Sequence, residues 1–220
     1  MLARQLEPEV MDSWDEAVDY DSMDHSAVNA LFITDLLAIE SDPRDVLDLG
    51  TGTAQIPLEL CRRHPNCRVM AADAATNMLE IAKYNLAASE VGQRVQLTHL
   101  DAKDLPFQSE MFDVVMSNSI VHHIPEPAAV LEEAARVCAP GGLLFFRDLL
   151  RPADEATLCA LVDQYASECN DHQRRMFADS LHAALSLEEI RGLVAALGFA
   201  PEDVRATSDR HWTWASRKVD

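Results

Sequence analysis

Asp48-Leu49-Gly50-Thr51-Gly52-Thr53-Ala54 sets a carboxylate, two glycines and two hydroxyls directly behind the apolar pair Val46-Leu47. Closely spaced glycines let a backbone pass near a ligand, and the helix expected behind them offers unpaired N–H groups. Asp73 ends the next apolar run. A carboxylate there can accept both hydroxyls of a ribose lying across the end of the first strand. Alone, the glycine pair marks only the tight turn that any such strand-to-helix connection needs. A nicotinamide site is the first rival, since its fingerprint also has Gly-x-Gly and a later acid. That fingerprint requires a Gly or Ala three residues on, where Gln55 stands. It also leaves Asp48, Asp101-Ala102 and Pro140-Gly141-Gly142 unexplained.

His122 and His123 follow the fourth apolar run. Adjacent histidines point differently and rarely share a metal without further ligands. No H-x-x-E pattern or cysteine stands nearby, so metal is set aside. His123 is read either as a base or substrate contact, or as a histidine bonded to backbone after the strand. Asp171 to Phe177 mixes polar, cationic and aromatic groups, which suits a lid selecting substrate or a plain solvated helix face. Its test residues are His172 and Arg175. The five cysteines form no C-x-x-C and are read as reduced structural thiols.

The elements that must position these groups alternate short apolar runs with helical patterns, which predicts a parallel α/β sheet. Strands are predicted at 46–49, 68–72, 95–98, 112–117 and 143–146. Helices are predicted at 53–64, at 77–91 with Gly92 closing it, and from Pro127 to the Pro140-Gly141-Gly142 stop. Residues 13–40 read as two helices. The first has the capping box Ser13-Trp14-Asp15-Glu16, and the second an apolar face of Val28, Leu31, Phe32, Leu36 and Ile39. Residues 152–183 read as a helical insertion. A helix then runs from the capping box at Ser186 to Gly198, and a hairpin of 204–207 and 212–216 closes the chain.

At 220 residues, 48% apolar and 25% charged, the composition is that of an ordinary globular domain. Eighteen basic against 37 acidic residues give a net charge of −19. That balance counts against nucleic acid and anionic membranes and leaves a small molecule as the expected partner. Residues 1–8 contain no apolar leader core. No run approaches the ~20 apolar residues of a membrane span, so a cytoplasmic protein is expected.

Taken together, VLDLGTGTA, AADAATNMLEIA around Asp73, LDAKDLPF, FDVVMSNSIVHHI and APGGLLFF closely resemble the class I S-adenosylmethionine-dependent methyltransferases. The branch most resembled is the small-molecule one that includes ubiquinone and menaquinone C-methyltransferases. The resemblance covers roughly residues 44–150. It implies a Rossmann-like α/β fold, with a seven-stranded, mostly parallel sheet of order 3-2-1-4-5-7-6, strand seven antiparallel, and helices on both faces. The implied organisation is a helical cap (1–43), a cofactor-binding core (44–150), a helical lid insertion (151–185), and a last helix with a closing hairpin (186–220).

The resemblance assigns Gly50, Thr51 and Gly52 to the turn under the cofactor's methionine part. Asp48 would orient that turn or bind the amino group. Asp73 would hold the ribose, with Ala74 and Met78 beside the adenine. Asp101 would accept from the adenine amine, and Ala102 would give a backbone N–H. Asn118 and Ser117 would line the sulfonium end, and Tyr20 of the Asp19–Asp24 segment would reach the carboxylate end. Thr51 stands where Cys is usual and Ala54 where a third Gly is usual. The implied activity is methyl transfer from S-adenosylmethionine to a small molecule by in-line displacement, leaving S-adenosylhomocysteine. His123 is the catalytic candidate, and the chain would act as a monomer or homodimer. The alternatives are another group transfer from the same cofactor, or binding without catalysis. Arsenic methylation by Cys159 and Cys169 is disfavoured by their spacing and helical context.

Overall fold

The sheet forms because the apolar runs alternate. Val46, Val69, Val114 and Phe145 face one side, while Leu47, Val115, Leu144 and Phe146 face the other, and both faces are buried. The computed structural model describes residues 2–8, 10 and 12–219. Its strands are β1 (Asp45–Leu49), β2 (Arg68–Asp73), β3 (Val95–His99), β4 (Phe112–Asn118), β5 (Cys138–Leu149), β6 (Val204–Ala206) and β7 (His211–Arg217). They form one sheet of order β3-β2-β1-β4-β5-β7-β6. β1 to β5 are mutually parallel, and β7 runs antiparallel to both β5 and β6. The implied seven-stranded order is therefore the observed one, closing hairpin included.

Among the described residues, eight α-helices surround the sheet: α1 (Trp14–Ser22), α2 (Ser26–Ile39), α3 (Gln55–Arg63), α4 (Thr76–Ala87), α5 (Pro127–Val137), α6 (Glu155–Tyr165), α7 (Asp171–Ala183) and α8 (Leu187–Ala196). α2 and α3 cover one face through Phe32, Ile33, Leu36, Leu60 and Cys61. α5 and α8 cover the other through Val130, Leu131, Ala134, Ile190 and Val194, together with Trp212 and Trp214 of β7. The capping boxes at Ser13 and Ser186 both form, each with its glutamate three residues on. Parallel pairing brings the carboxyl ends of β1 to β5 to one edge of the sheet, where ligands of open α/β sheets bind.

Three local expectations need correction. α2 buries Asn29, Phe32, Ile33 and Leu36 and leaves Val28, Leu31 and Ile39 exposed. The helix is apolar almost all round, so its pattern does not select a face. The edge-on contact of Phe32 with Phe145, centroids 5.0 Å apart, does. Gly92 opens a short 3-10 turn instead of closing α4, and a Cβ there would lie 2.2 Å from the Leu86 carbonyl oxygen. Pro140-Gly141-Gly142 lies inside the long β5, at a register shift against β4. The insertion is two helices, α6 and α7, packed on a small apolar cluster of their own with Leu149 and Leu2.

Candidate cofactor site

The glycine turn is anchored from below. Gly50 N and Thr51 N both donate to the Ala72 carbonyl of β2, at 2.8 and 2.9 Å. Gly50 and Gly52 have φ of +71° and +55°, and Ala54 completes the turn at φ +63° as the residue preceding α3. A non-glycine residue in that left-handed region costs about 1–2 kcal/mol, so the turn tolerates the missing third glycine at some strain.

Asp73, ending β2, clamps two turns. Its Oδ2 accepts from Gly52 N at 2.7 Å and its Oδ1 from Ala75 N at 2.8 Å. Asp48 lies beneath the turn, 2% exposed. Asp48 Oδ2, Thr51 Oγ1 and Thr53 Oγ1 are buried without a hydrogen-bond partner. Tyr20 arrives from α1: a Cβ on Gly52 would sit 3.6 Å from its Cε1. Asp21 fixes that approach by accepting from Gln55 Nε2 and Asn85 Nδ2 at 3.0 and 2.9 Å, which ties α1 to α3 and α4.

The electrostatics of this group are one-sided. Burial pushes the Asp48 carboxyl up to about 7, with the nearby Thr51 hydroxyl pulling the other way and Asp73 adding to the rise. Burial also raises Asp73, although the Ala75 and Gly52 amides pull the other way. Burial and the charges of Asp73, Asp48 and Asp21 push the Tyr20 phenol to about 12. No lysine or arginine is among the groups that shift any of the three. A cluster of acids without lysine or arginine favours a ligand that brings positive charge and hydrogen-bond donors.

The remaining expected residues form a rim. Asp101, just past β3, is exposed; its Oδ1 accepts from Lys103 N at 2.9 Å and lies 3.1 Å from Lys103 Nζ. Slight burial works against its charge, but Lys103 outweighs that and holds its carboxyl below the usual value. Ala102 beside it is half-buried. Ala74 is exposed, and His99 Nε2 lies 3.0 Å from its carbonyl oxygen. Met78 packs under α1 with Ala17, Ala75, Ile81 and Tyr20. Half-buried Asn118 ends β4 opposite Arg147 of β5. Ser117 Oγ donates to the Leu49 carbonyl at 2.8 Å, linking β4 to β1.

His122 and His123 form a 3-10 turn after β4. His122 is fully enclosed, its Nδ1 2.5 Å from Asp148 Oδ1. Burial opposes a charge on His122, but Asp148 overcomes it and lifts the imidazole above its usual value. His123 is partly exposed and close enough for its charge to lower Asp73. Sequence reasoning missed Asp148 and Glu7. Asp148 left only the signal of an acid near the carboxyl end of β5, which names no partner for it. Glu7 had none, because an irregular segment at the far end of the chain delivers it. His172 and Arg175 are both exposed on α7. Arg174 instead turns back to Asp163 at 2.6 Å, so the polar face of α7 is largely solvated.

Residues 47–146 match the model of a family described as a methyltransferase domain. The chain is 30% identical to a demethylmenaquinone methyltransferase of Thermus thermophilus, over 74% of this chain and 78% of that one. It is 27% identical to a 27-O-demethylrifamycin SV methyltransferase of Amycolatopsis mediterranei, over 80% of this chain. This chain spans only 62% of that relative's length. The fold matches the crystal structure of an S-adenosylmethionine-dependent methyltransferase from Aquifex aeolicus at a TM-score of 0.67 and 16% identity, covering 94% of this chain and 99% of that one. The chain belongs to the class I S-adenosylmethionine-dependent methyltransferases. No helix among the described residues is long and apolar enough to cross a membrane.

Proposed function

We propose that this chain transfers the methyl group of S-adenosylmethionine to a small-molecule acceptor. The carrying observation is the cluster of Asp48, Asp73 and Tyr20 around the glycine turn, with no lysine or arginine acting on it and three buried oxygens left unpartnered. When bound, S-adenosylmethionine supplies a methyl group already activated by its positively charged sulfur, and its ammonium and ribose hydroxyls suit the acids and orphaned oxygens.

Asp48 receives the ammonium beneath the turn formed by Gly50, Thr51 and Gly52. Asp73 keeps spare lone pairs on both oxygens for the ribose, since each accepts only one backbone bond. Tyr20 retains its proton at neutral pH and donates it to the cofactor's carboxylate end. Ala74, Met78, Asp101 and Ala102 flank the adenine, and Asn118 faces the sulfonium end. His123 contacts the acceptor, or takes its proton where the acceptor must lose one. The helices of the 1–43 cap and the 151–185 lid exclude water from the core formed by 44–150.

Calorimetry with S-adenosylmethionine tests the site. Asp73→Ala should weaken binding by roughly 1.5–3 kcal/mol, the worth of charge-assisted hydrogen bonds; unchanged affinity would sink the assignment. Release of S-adenosylhomocysteine in an acceptor screen tests the reaction. Demethylmenaquinone and 27-O-demethylrifamycin SV, the compounds in the relatives' names, come first in that screen. Tight binding with no turnover on any acceptor would favour binding without catalysis. With an active acceptor in hand, His123→Ala should lower kcat by ~100-fold or more if His123 is a base. Wild-type turnover in that variant would reject the role.

A further inference from the structure

Glu7, His122 and His123 converge in a cluster that shares only His123 with the proposed methyl-transfer site, where a cation on His123 Nδ1 would leave it an acceptor contact and not a base. The two imidazoles lie against each other at a tilt, with centroids 4.1 Å apart and planes at 34°. Glu7 Oε1 lies 3.0 Å from His123 Nδ1 and 3.5 Å from His122 Nε2. All three donor atoms fall within 4.8 Å of one another. Glu7 Oε1 and His123 Nδ1 are nevertheless buried with no hydrogen bond completed. They face each other closely but out of alignment.

We infer that Glu7, His122 and His123 form a binding site for a borderline divalent cation of the zinc type. Two histidines and one carboxylate, with a fourth position open, are a common zinc donor set. Tetrahedral bonds of about 2.0–2.1 Å place neighbouring donors about 3.3–3.4 Å apart. The Glu7 separations of 3.0 and 3.5 Å straddle that spacing.

The surroundings hold the donors in place. Asp148 Oδ1 lies 2.5 Å from His122 Nδ1, which keeps the proton on that nitrogen and turns the Nε2 lone pair toward Glu7. Asp148 is itself fixed by the amides of Val121 and Leu149, both at 2.6 Å. Ser180 Oγ donates to Glu7 Oε2 at 3.2 Å, leaving Oε1 for the cation. Arg4 pins the segment carrying Glu7 by donating to the carbonyls of Ala183, His122 and Ile124 at 2.7, 3.1 and 3.0 Å. The sequence ground for setting metal aside was the lack of a third ligand near the histidines. The fold supplies one from the N-terminal segment.

The test reads metal and not activity, so it stands apart from the methyltransferase reading. The full chain, freed of metal with a chelator and titrated with Co²⁺ near neutral pH, should take up one equivalent. Visible absorption of a low-symmetry nitrogen–oxygen site should appear, and Zn²⁺ should displace it. Glu7→Gln should weaken Co²⁺ binding by at least ~10-fold, and Asp148→Asn by about 10–100-fold through loss of the bond that orients His122. His172→Ala, on the exposed face of α7, should bind as wild type does. Circular dichroism confirms that each variant is folded. Absence of stoichiometric binding to the wild-type chain overturns the proposal and leaves Glu7 as an ion-pair partner of the histidines. Undiminished binding in Glu7→Gln, or a thiolate charge-transfer band assigning the ion to cysteine, overturns it equally.

Discussion

Asp48→Asn should make the ligand-free chain more stable at alkaline pH while removing most of its affinity for S-adenosylmethionine. The carboxyl is buried beneath the glycine turn with one oxygen unpartnered, and burial together with Asp73 brings it up to about 7. In the unfolded chain it titrates near 3.9. Because the folded state holds its proton more tightly, its contribution to stability is complete below the unfolded value and is lost as pH rises toward 7. Above that the buried charge costs up to roughly 4 kcal/mol, because each pH unit separating the folded and unfolded titrations is worth about 1.4 kcal/mol. The uncharged amide avoids that cost. Melting temperatures of the two proteins should therefore converge near pH ~4, draw apart between pH ~4 and pH ~7, and stay apart above that, with the variant higher. Parallel profiles across that range would refute the account. The same carboxylate must be ionised to meet an ammonium, so wild-type affinity should fall by up to about tenfold per pH unit below pH ~7. The variant should show low affinity and no such dependence.

The parts of this site that were legible in the sequence are those whose physics is local. A glycine turn behind an apolar run, an acid ending the next run and a serine three residues before a glutamate each act within a few residues. All three stand where expected. Strand order was legible only through the family resemblance, since no single run says which neighbour it pairs with. Side-chain partnerships across the chain were not legible at all. Nothing near His122 announces that Asp148 will orient it or that Glu7 will reach it, because those contacts depend on β5 lying beside β4 and on Arg4 anchoring an irregular segment. α2 failed differently: with apolar residues on every side, the choice of buried face fell to the fit of Phe32 against Phe145. His172 and Arg175 stay open between lid and solvated surface, because a polar helix face carries no marker that separates the two.

The two glycines of the turn should not be equally sensitive, and Gly50→Ala should be the more damaging change. A Cβ at Gly50 would lie 1.7 Å from Ile120 Cγ2 and 2.9 Å from Ile120 Cβ. A methyl at Gly52 meets only Tyr20 Cε1, at an ordinary 3.6 Å. Both positions carry the left-handed backbone cost of about 1–2 kcal/mol for alanine. Gly50 adds overpacking, typically about 1–3 kcal/mol. Retreat is blocked on both sides. Gly50 N and Thr51 N are bonded to the Ala72 carbonyl, and Ser119 N, next to Ile120, is bonded to the Arg147 carbonyl at 2.9 Å. Gly50→Ala should therefore cost roughly 2–5 kcal/mol of stability and abolish measurable cofactor binding, against about 1–2 kcal/mol for Gly52→Ala. Ile120→Ala removes the Cγ2 and Cδ1 contacts but leaves Cβ in place. In the Gly50→Ala background it should restore about 1–2 kcal/mol by denaturant titration, a favourable coupling of the size seen for residues in contact. Strictly additive losses would show that backbone conformation alone, and not the close approach of Ile120, makes glycine necessary at position 50.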